Sequence, residues 1–328
     1  MTTEPDKKND QPVCVFTGDA LGAYSFGESH PFGPARQSAF LELFHISGLD
    51  QRTRICEPSR ASQERIELFH GHEYVEWVKK LSMDGKGFLD SGDTPAFPGM
   101  YEAAATVVGT TLHAIDKVMD TGCRRGFIPI AGLHHARRDG AAGFCIFNDC
   151  GIAIEYLRQR YSLRRILYVD IDAHHGDGVL YGFEDDPDVR IVDMHEDGRY
   201  LYPGTGSGNE TGTGPAVGTK QNFPMAPGAA DTEFFQTWER ALSFMEASEP
   251  QFILLQSGAD SLDGDPLTHL RYTDAVHYRV AFDLAKLADR VASGRIVAMG
   301  GGGYNLSNLA RGWCAVVRGL LDATEKVN

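Results

Sequence analysis

The residues best suited to chemistry cluster in Asp170-Ile-Asp172-Ala-His174-His175-Gly176-Asp177, directly after the apolar run Ile166–Val169. A continuous apolar run reads as a strand buried on both faces. Ligands in open α/β sheets bind beyond the carboxyl ends of strands, which is where this cluster falls. Side chains alternate along an extended segment, so Asp170, Asp172 and His174 are expected to point the same way. Two carboxylates and an imidazole this close are costly to bury unpaired. A divalent metal compensates them, and this donor set suits zinc. The plainer alternative is a polar turn whose acids cap the next helix.

A catalytic zinc takes three protein ligands and keeps one position open. A second buried run, Phe252–Leu255, leads through Gln256-Ser-Gly-Ala to Asp260, the expected third ligand. Taken alone, Asp260 would read as a helix N-cap. His134 and His135 follow the run Phe127–Ile130, and beside a metal a histidine is the natural general base. Asp170 and Asp177 are then more than the metal needs, so they are assigned to orient the two imidazoles. Finally, Gly300–Gly303 follows Ile296–Met299 and carries Tyr304 at the same sheet edge. A phenol there can donate to a developing oxyanion, the alternative being a core tyrosine after a flexible turn.

The elements that must position these groups alternate along the chain. Strands are expected at Val13–Thr17, Phe127–Ile130, Ile166–Asp170, Val189–Met194, Phe252–Gln256 and Ile296–Met299. Helices are expected at Pro34–Ser47, Glu73–Leu81, Met100–Asp120, Asp149–Gln159, Asp231–Ala247, Thr273–Ala292 and Leu306–Ala323. The alternation implies an α/β fold, a mostly parallel sheet with helices on both faces. No repeat or low-complexity linker interrupts it, so residues 12–328 are expected to form a single domain after a disordered polar tail at 1–11. The glycine-rich stretch Pro203–Gly218 lacks a G-K-[ST] ending and reads as a surface loop rather than a phosphate loop.

Composition narrows the class. A hydrophobic fraction of 42% and a charged fraction of 23% are ordinary for a globular protein. The net charge of −14 argues against nucleic-acid or anionic-membrane binding and suits a cationic partner. There is no secretory start and no apolar run of spanning length. The six cysteines form no C-x-x-C pair, so free thiols in a reducing cytoplasm are expected.

Together, GLHHARRDGAAGFCIFND, RILYVDIDAHHGDGV, LQSGADSLDGDPL and GGGGYNL resemble the zinc-dependent histone deacetylases in order and spacing, from about Thr17 to Leu320. The likeness is closer to the class I enzymes and their bacterial acetoin-utilisation relatives than to class II. It implies the arginase–deacetylase fold, with a central eight-stranded, mostly parallel sheet flanked by helices. It implies one zinc on Asp172, His174 and Asp260, with ferrous iron a substitute that a two-carboxylate site admits. His135 then matches the general base and acid, His134 its companion, Asp170 and Asp177 the carboxylates behind them, and Tyr304 the residue polarising the carbonyl. Gly143 and Phe144 match one wall of a substrate tunnel. Tyr202 stands on the opposite wall where a phenylalanine is usual. Leu267 matches the tunnel mouth, Asp93 a rim aspartate and Arg36 the arginine of an acetate channel. A potassium ion beside the zinc is implied on Asp170, Asp172, His174, Asp193 and Met194, with Asp193 in place of the family's serine.

The implied reaction is hydrolysis of an acetyl-amide by a metal-activated water, releasing acetate. The implied substrate is acetyl-lysine in a protein or peptide, or else an acetylpolyamine or another small acetyl-amide. Two other readings share some of these features. A two-manganese ureohydrolase has an Asp-Ala-His motif, yet needs paired aspartates where Ser257-Gly-Ala-Asp260 offers one. A silent acetyl-ligand binding module would have lost the base, the tyrosine or a ligand, and all are present.

Overall fold

A computed structural model describes residues 12–120 and 123–324 of the chain, so the expected tail at 1–11 lies outside the described residues. The strands are β1 (Val13–Phe16), β2 (Arg54–Cys56), β3 (Arg125–Ile128), β4 (Ile166–Asp170), β5 (Val189–Asp193), β6 (Lys220–Asn222), β7 (Phe252–Gln256) and β8 (Ile296–Met299). They form one sheet in the order β2-β1-β3-β8-β7-β4-β5-β6. Every neighbouring pair is parallel. The central strands β4 and β7 are buried at every position, as continuous apolar runs in a doubly covered sheet must be.

The helices are α1 (Asp19–Gly22), α2 (Ala35–Ile46), α3 (Gln63–Ile66), α4 (His72–Asp84), α5 (Met100–Asp120), α6 (Asp149–Tyr161), α7 (Asp177–Gly182), α8 (Asp231–Ala247), α9 (Asp274–Val291) and α10 (Leu306–Asp322). Consecutive residues of β3 show the two layers. A Cβ on Gly126 would touch Ala114 of α5. Phe127 packs instead on Phe40 of α2 and Trp313 of α10. The strand's alternation thus separates α5 from α2 and α10. Among the described residues no helix is long and apolar enough to cross a membrane.

Three expectations are corrected. The strand expected at Phe127–Ile130 runs two residues earlier, because Pro129 has no N–H to continue the ladder. Edge strands β2 and β6 are only three residues each, RIC and KQN, too short and too polar to announce themselves. Lastly, Cys14 and Cys123 form a disulfide, so not all six thiols are free. Val13 of β1 pairs with Arg125 of β3, which brings two cysteines 109 positions apart in sequence alongside each other. The other four cysteines are free and buried.

His70 ties the α3–α4 connection to the start of α6. Its Nε2 accepts the Asn148 N–H at 2.8 Å, and Asn148 in turn caps α6 by accepting from Gly151 N–H. Burial pushes the His70 pKa down to about 3. The folded state therefore binds no proton here between about pH 6.5 and 3, while the unfolded chain does. Stability from this group is full above pH 6.5 and is lost as pH falls through that window, by about 1.4 kcal/mol per pH unit. His70→Gln keeps an acceptor without a titrating ring. Between pH 7.5 and 5 it should lose about 2 kcal/mol less stability than the wild type in urea unfolding. Parallel losses in the two proteins would contradict this role for His70.

Candidate active site

The strand order explains why residues from five distant segments meet. β3, β8, β7, β4 and β5 are successive neighbours, and all are parallel. Their carboxyl ends therefore deliver His134 and His135, Gly300–Tyr304, Asp260, Asp170–Asp177 and Asp193 to one edge of the sheet.

Asp172, His174 and Asp260 are buried, and their ligating atoms lie within 4.8 Å of one another. His174 Nδ1 is 3.1 Å from Asp172 Oδ1 and 3.1 Å from Asp260 Oδ2. The remaining oxygens are held by the protein. Asp172 Oδ2 accepts from Gln256 Nε2 at 2.8 Å and from the Gly302 N–H at 2.9 Å. Asp260 Oδ1 accepts from the Ala173 N–H at 2.9 Å. Each carboxylate thus aims one oxygen at a shared point. Burial, and then the charge of Asp172, pushes Asp260 up to about 7. Two carboxylates that repel in a buried place, beside an imidazole, are a donor set that fits a divalent cation such as zinc.

The histidine pair stands on two carboxylates. His134 Nδ1 donates to Asp170 Oδ2 at 2.7 Å, and His135 Nδ1 donates to Asp177 Oδ1 at 2.7 Å. The two Nε2 atoms are 3.1 Å apart. Burial depresses His134, but the charges of Asp170 and Asp172 outweigh it and the pKa rises to about 10. His135 has no such surplus. Burial, and then the charge on His134, lowers it to about 4, so its Nε2 is an acceptor within reach of the His134 N–H. Burial, followed by the Asp260 charge, raises the Tyr304 phenol well above its ordinary value, so it remains a donor.

The walls are equally constrained. Gly143 has φ +52°, and a Cβ there would lie 2.5 Å from the His135 ring and 3.1 Å from Tyr202. Phe144 also adopts a left-handed φ of +65°, which costs a side-chain-bearing residue about 1–2 kcal/mol. Two contacts hold it there: its N–H donates to Thr94 Oγ1, and its carbonyl accepts from Tyr24. The Phe144 ring meets Tyr304 edge-on, and Tyr202 meets His135 edge-on. Tyr202 is 45% exposed and Leu267 is 37% exposed, so both side chains reach solvent. Asp93 lies on the exposed loop that Thr94 ties to Phe144, and its carbonyl accepts from His30. Burial and the neighbouring Asp90 raise the Asp93 carboxyl to about 6. Arg36 is buried behind the glycine run, where it donates to the carbonyls of Gly301 and Gly303.

The potassium expectation fits less well. Asp193 Oδ1 pairs with His195 Nδ1 at 2.6 Å, and Oδ2 accepts the Gly176 N–H at 2.9 Å. Both Asp193 oxygens therefore already have partners within the protein. Met194 is buried and bonds through its N–H to the Asp170 carbonyl.

Two supports of the histidine pair carry no assignment from sequence. Asp149 accepts the N–H groups of Gly132 and Leu133, and Asn148 Nδ2 donates to the carbonyls of His134 and Ala136. They fix the backbone of the histidine pair. Their signal was the Phe-Asn-Asp that ends the first motif, which on its own reads only as a helix start.

A histone deacetylase domain matches residues 30–320. The acetoin utilization protein AcuC of Bacillus subtilis (strain 168) is 39% identical over 302 residues, covering 89% of this chain and 78% of that protein. AcuC of Staphylococcus aureus (strain MSSA476) is 34% identical, covering 96% of this chain and 83% of that one. The crystal structure of the HDA15 HD domain superposes with a TM-score of 0.89 at 26% identity, covering 95% of this chain and 89% of that one. Fold, motifs and relatives agree, and the chain belongs to the histone deacetylase family of hydrolytic deacetylases.

Proposed function

We propose that this deacetylase acts on acetyl-lysine in peptides or proteins, with one zinc on Asp172, His174 and Asp260. The observation that carries the hydrolytic part is the geometry of His135, held through Nδ1 by Asp177 beside the three converging ligand atoms. When bound, zinc supplies Lewis acidity to the carbonyl and lowers the pKa of the attacking water. His135 Nε2 takes the water proton, with its ring orientation fixed through Nδ1 by Asp177. His134, kept charged by Asp170, holds the neighbouring position and keeps the His135 pKa low. The Tyr304 hydroxyl donates to the carbonyl oxygen as negative charge develops there. The proton on His135 then passes to the leaving nitrogen as the C–N bond breaks, giving acetate and a free amine.

Phe144 and Tyr202 form an apolar slot that suits an uncharged methylene stem, with Gly143 leaving room for it. Leu267 at the opening offers no charge to a second ammonium, which favours lysine over a polyamine. Asp93 serves at the rim, and Arg36 lines the route by which acetate leaves. The second reading, an acetylpolyamine or other small acetyl-amide, draws support from the net charge of −14 and from the Asp90–Asp93 pair on the rim loop. Ferrous iron is an alternative metal for a site with two carboxylates. No step is assigned to potassium. The cytoplasm is the proposed location.

His135→Ala and Tyr304→Phe should each bind zinc like the wild type yet lose about a hundredfold or more in kcat. Wild-type turnover in Tyr304→Phe would make the tyrosine a packing residue. On substrate, kcat/KM for an acetyl-lysine peptide should exceed that for acetylputrescine by about tenfold, the scale of one favourable contact of about 1.4 kcal/mol. A tenfold preference for the diamine would instead support the second reading.

A further inference from the structure

Tyr304 ends a run of four glycines, none of which has a side chain to fix the backbone. Gly301 and Gly303 have φ of +72° and +125°, so the run follows a path that other residues rarely adopt. Two buried charged residues meet this run from opposite sides. Arg36 donates to the carbonyls of Gly301 and Gly303. Asp265 Oδ2 accepts the N–H of Tyr304 at 2.8 Å and of Asn305 at 3.3 Å. The other oxygen of Asp265 accepts the Leu267 N–H at 3.0 Å. A single carboxylate, 7% exposed, therefore joins the backbone of the phenol donor to that of the residue at the opening.

The same turn is joined to α10 at two further points. Asn305 Nδ2 donates to the Gly264 carbonyl, and Asn308 Nδ2 donates to the Asp263 carbonyl. Those bonds already anchor the helix start, and Asn305 itself caps Ser307 and Asn308. The helix therefore does not depend on Asp265 for its cap. What Asp265 adds is a fixed position for the main chain of Tyr304, from which the phenol projects.

We propose that Asp265 is a positioning residue. It sets the place of the Tyr304 hydroxyl and couples it to Leu267 at the mouth of the site. The proposal rests on Tyr304 being the oxyanion donor. A displaced phenol weakens an interaction made in the transition state, so its loss appears in kcat more than in KM.

The test is a double-mutant cycle on the zinc-loaded full chain with an acetyl-lysine peptide. Zinc content and thermal unfolding are measured on every variant. Asp265→Ala should lower kcat by about tenfold or more and also raise KM, because it releases the Leu267 N–H along with those of Tyr304 and Asn305. In the Tyr304→Phe background the same change should cost less than about threefold in kcat, because the hydroxyl it positions is gone. Asp265→Asn keeps one oxygen, which can stay with the two N–H groups of Tyr304 and Asn305, while its NH2 faces the Leu267 N–H. It should restore most of the lost kcat and carry its defect in KM. Equal losses from Asp265→Ala in the two backgrounds, or an Asp265→Asn as slow as Asp265→Ala, would overturn the proposal. If Asp265→Ala fails to fold, Asp265→Asn decides alone: a kcat defect of equal size in both backgrounds overturns the proposal, and a defect confined to KM supports it. Full turnover in Tyr304→Phe alone identifies a different failure, that of the tyrosine's own role, and the positioning claim falls with it.

Discussion

The arrangement depends on one unfavourable contact, two buried carboxylates turned toward the same point. Asp172 and Asp260 lie beyond neighbouring parallel strands β4 and β7, with His174 Nδ1 3.1 Å from an oxygen of each. Burial works against both charges; it and the repulsion from Asp172 raise Asp260, while His134 and His174 outweigh burial at Asp172 and keep it ionised. A divalent cation removes both costs at once. The surrounding bonds from Gln256, Gly302 and Ala173 occupy the outward oxygens, and so prevent the carboxylates from turning away to relieve the strain.

That concentration of charge dictates the neighbours. Gly302 approaches so closely that a Cβ would fall 2.0 Å from Asp260 Oδ2, so the turn that follows β8 must carry a residue without a side chain there. A flexible glycine run would leave Tyr304 poorly placed, and Arg36 and Asp265 hold it from its carbonyl and N–H sides. The histidines divide by environment. Burial lowers both, but the charges of Asp170 and Asp172 raise His134, whereas His135, one residue on, is lowered further by the charge on His134. Two adjacent imidazoles thus differ in pKa because only one sits over the excess of carboxylate.

Much of this was legible in the amino-acid order because burial leaves a simple mark. Ile166–Asp170 and Phe252–Gln256 are strands with the boundaries that their apolar runs imply, and chemistry-bearing residues follow each. Asp170 and Asp177 were recognisable as acids in excess of what one metal requires. The features that stayed hidden depend on contacts between distant segments. Asp265 looks like a turn residue, since nothing in its neighbourhood indicates that Tyr304, 39 positions on, donates to it. Gln256 ends a strand and reads as sheet edge, although its amide holds a ligand oxygen. Asp193 reads as one more cation ligand until His195, two residues on, is seen to turn its ring back onto it. Cys14 and Cys123 are joined only through the β1–β3 pairing, which no spacing rule reveals.

The central claim is that Asp172, His174 and Asp260 together hold one catalytic zinc. X-ray absorption at the zinc edge of the loaded protein tests it most directly. The account predicts one zinc per chain, with oxygen and nitrogen neighbours at about 2.0–2.2 Å and the scattering pattern of a single imidazole. A sulfur neighbour at about 2.3 Å, or a second metal at about 3.5–4 Å, would contradict it.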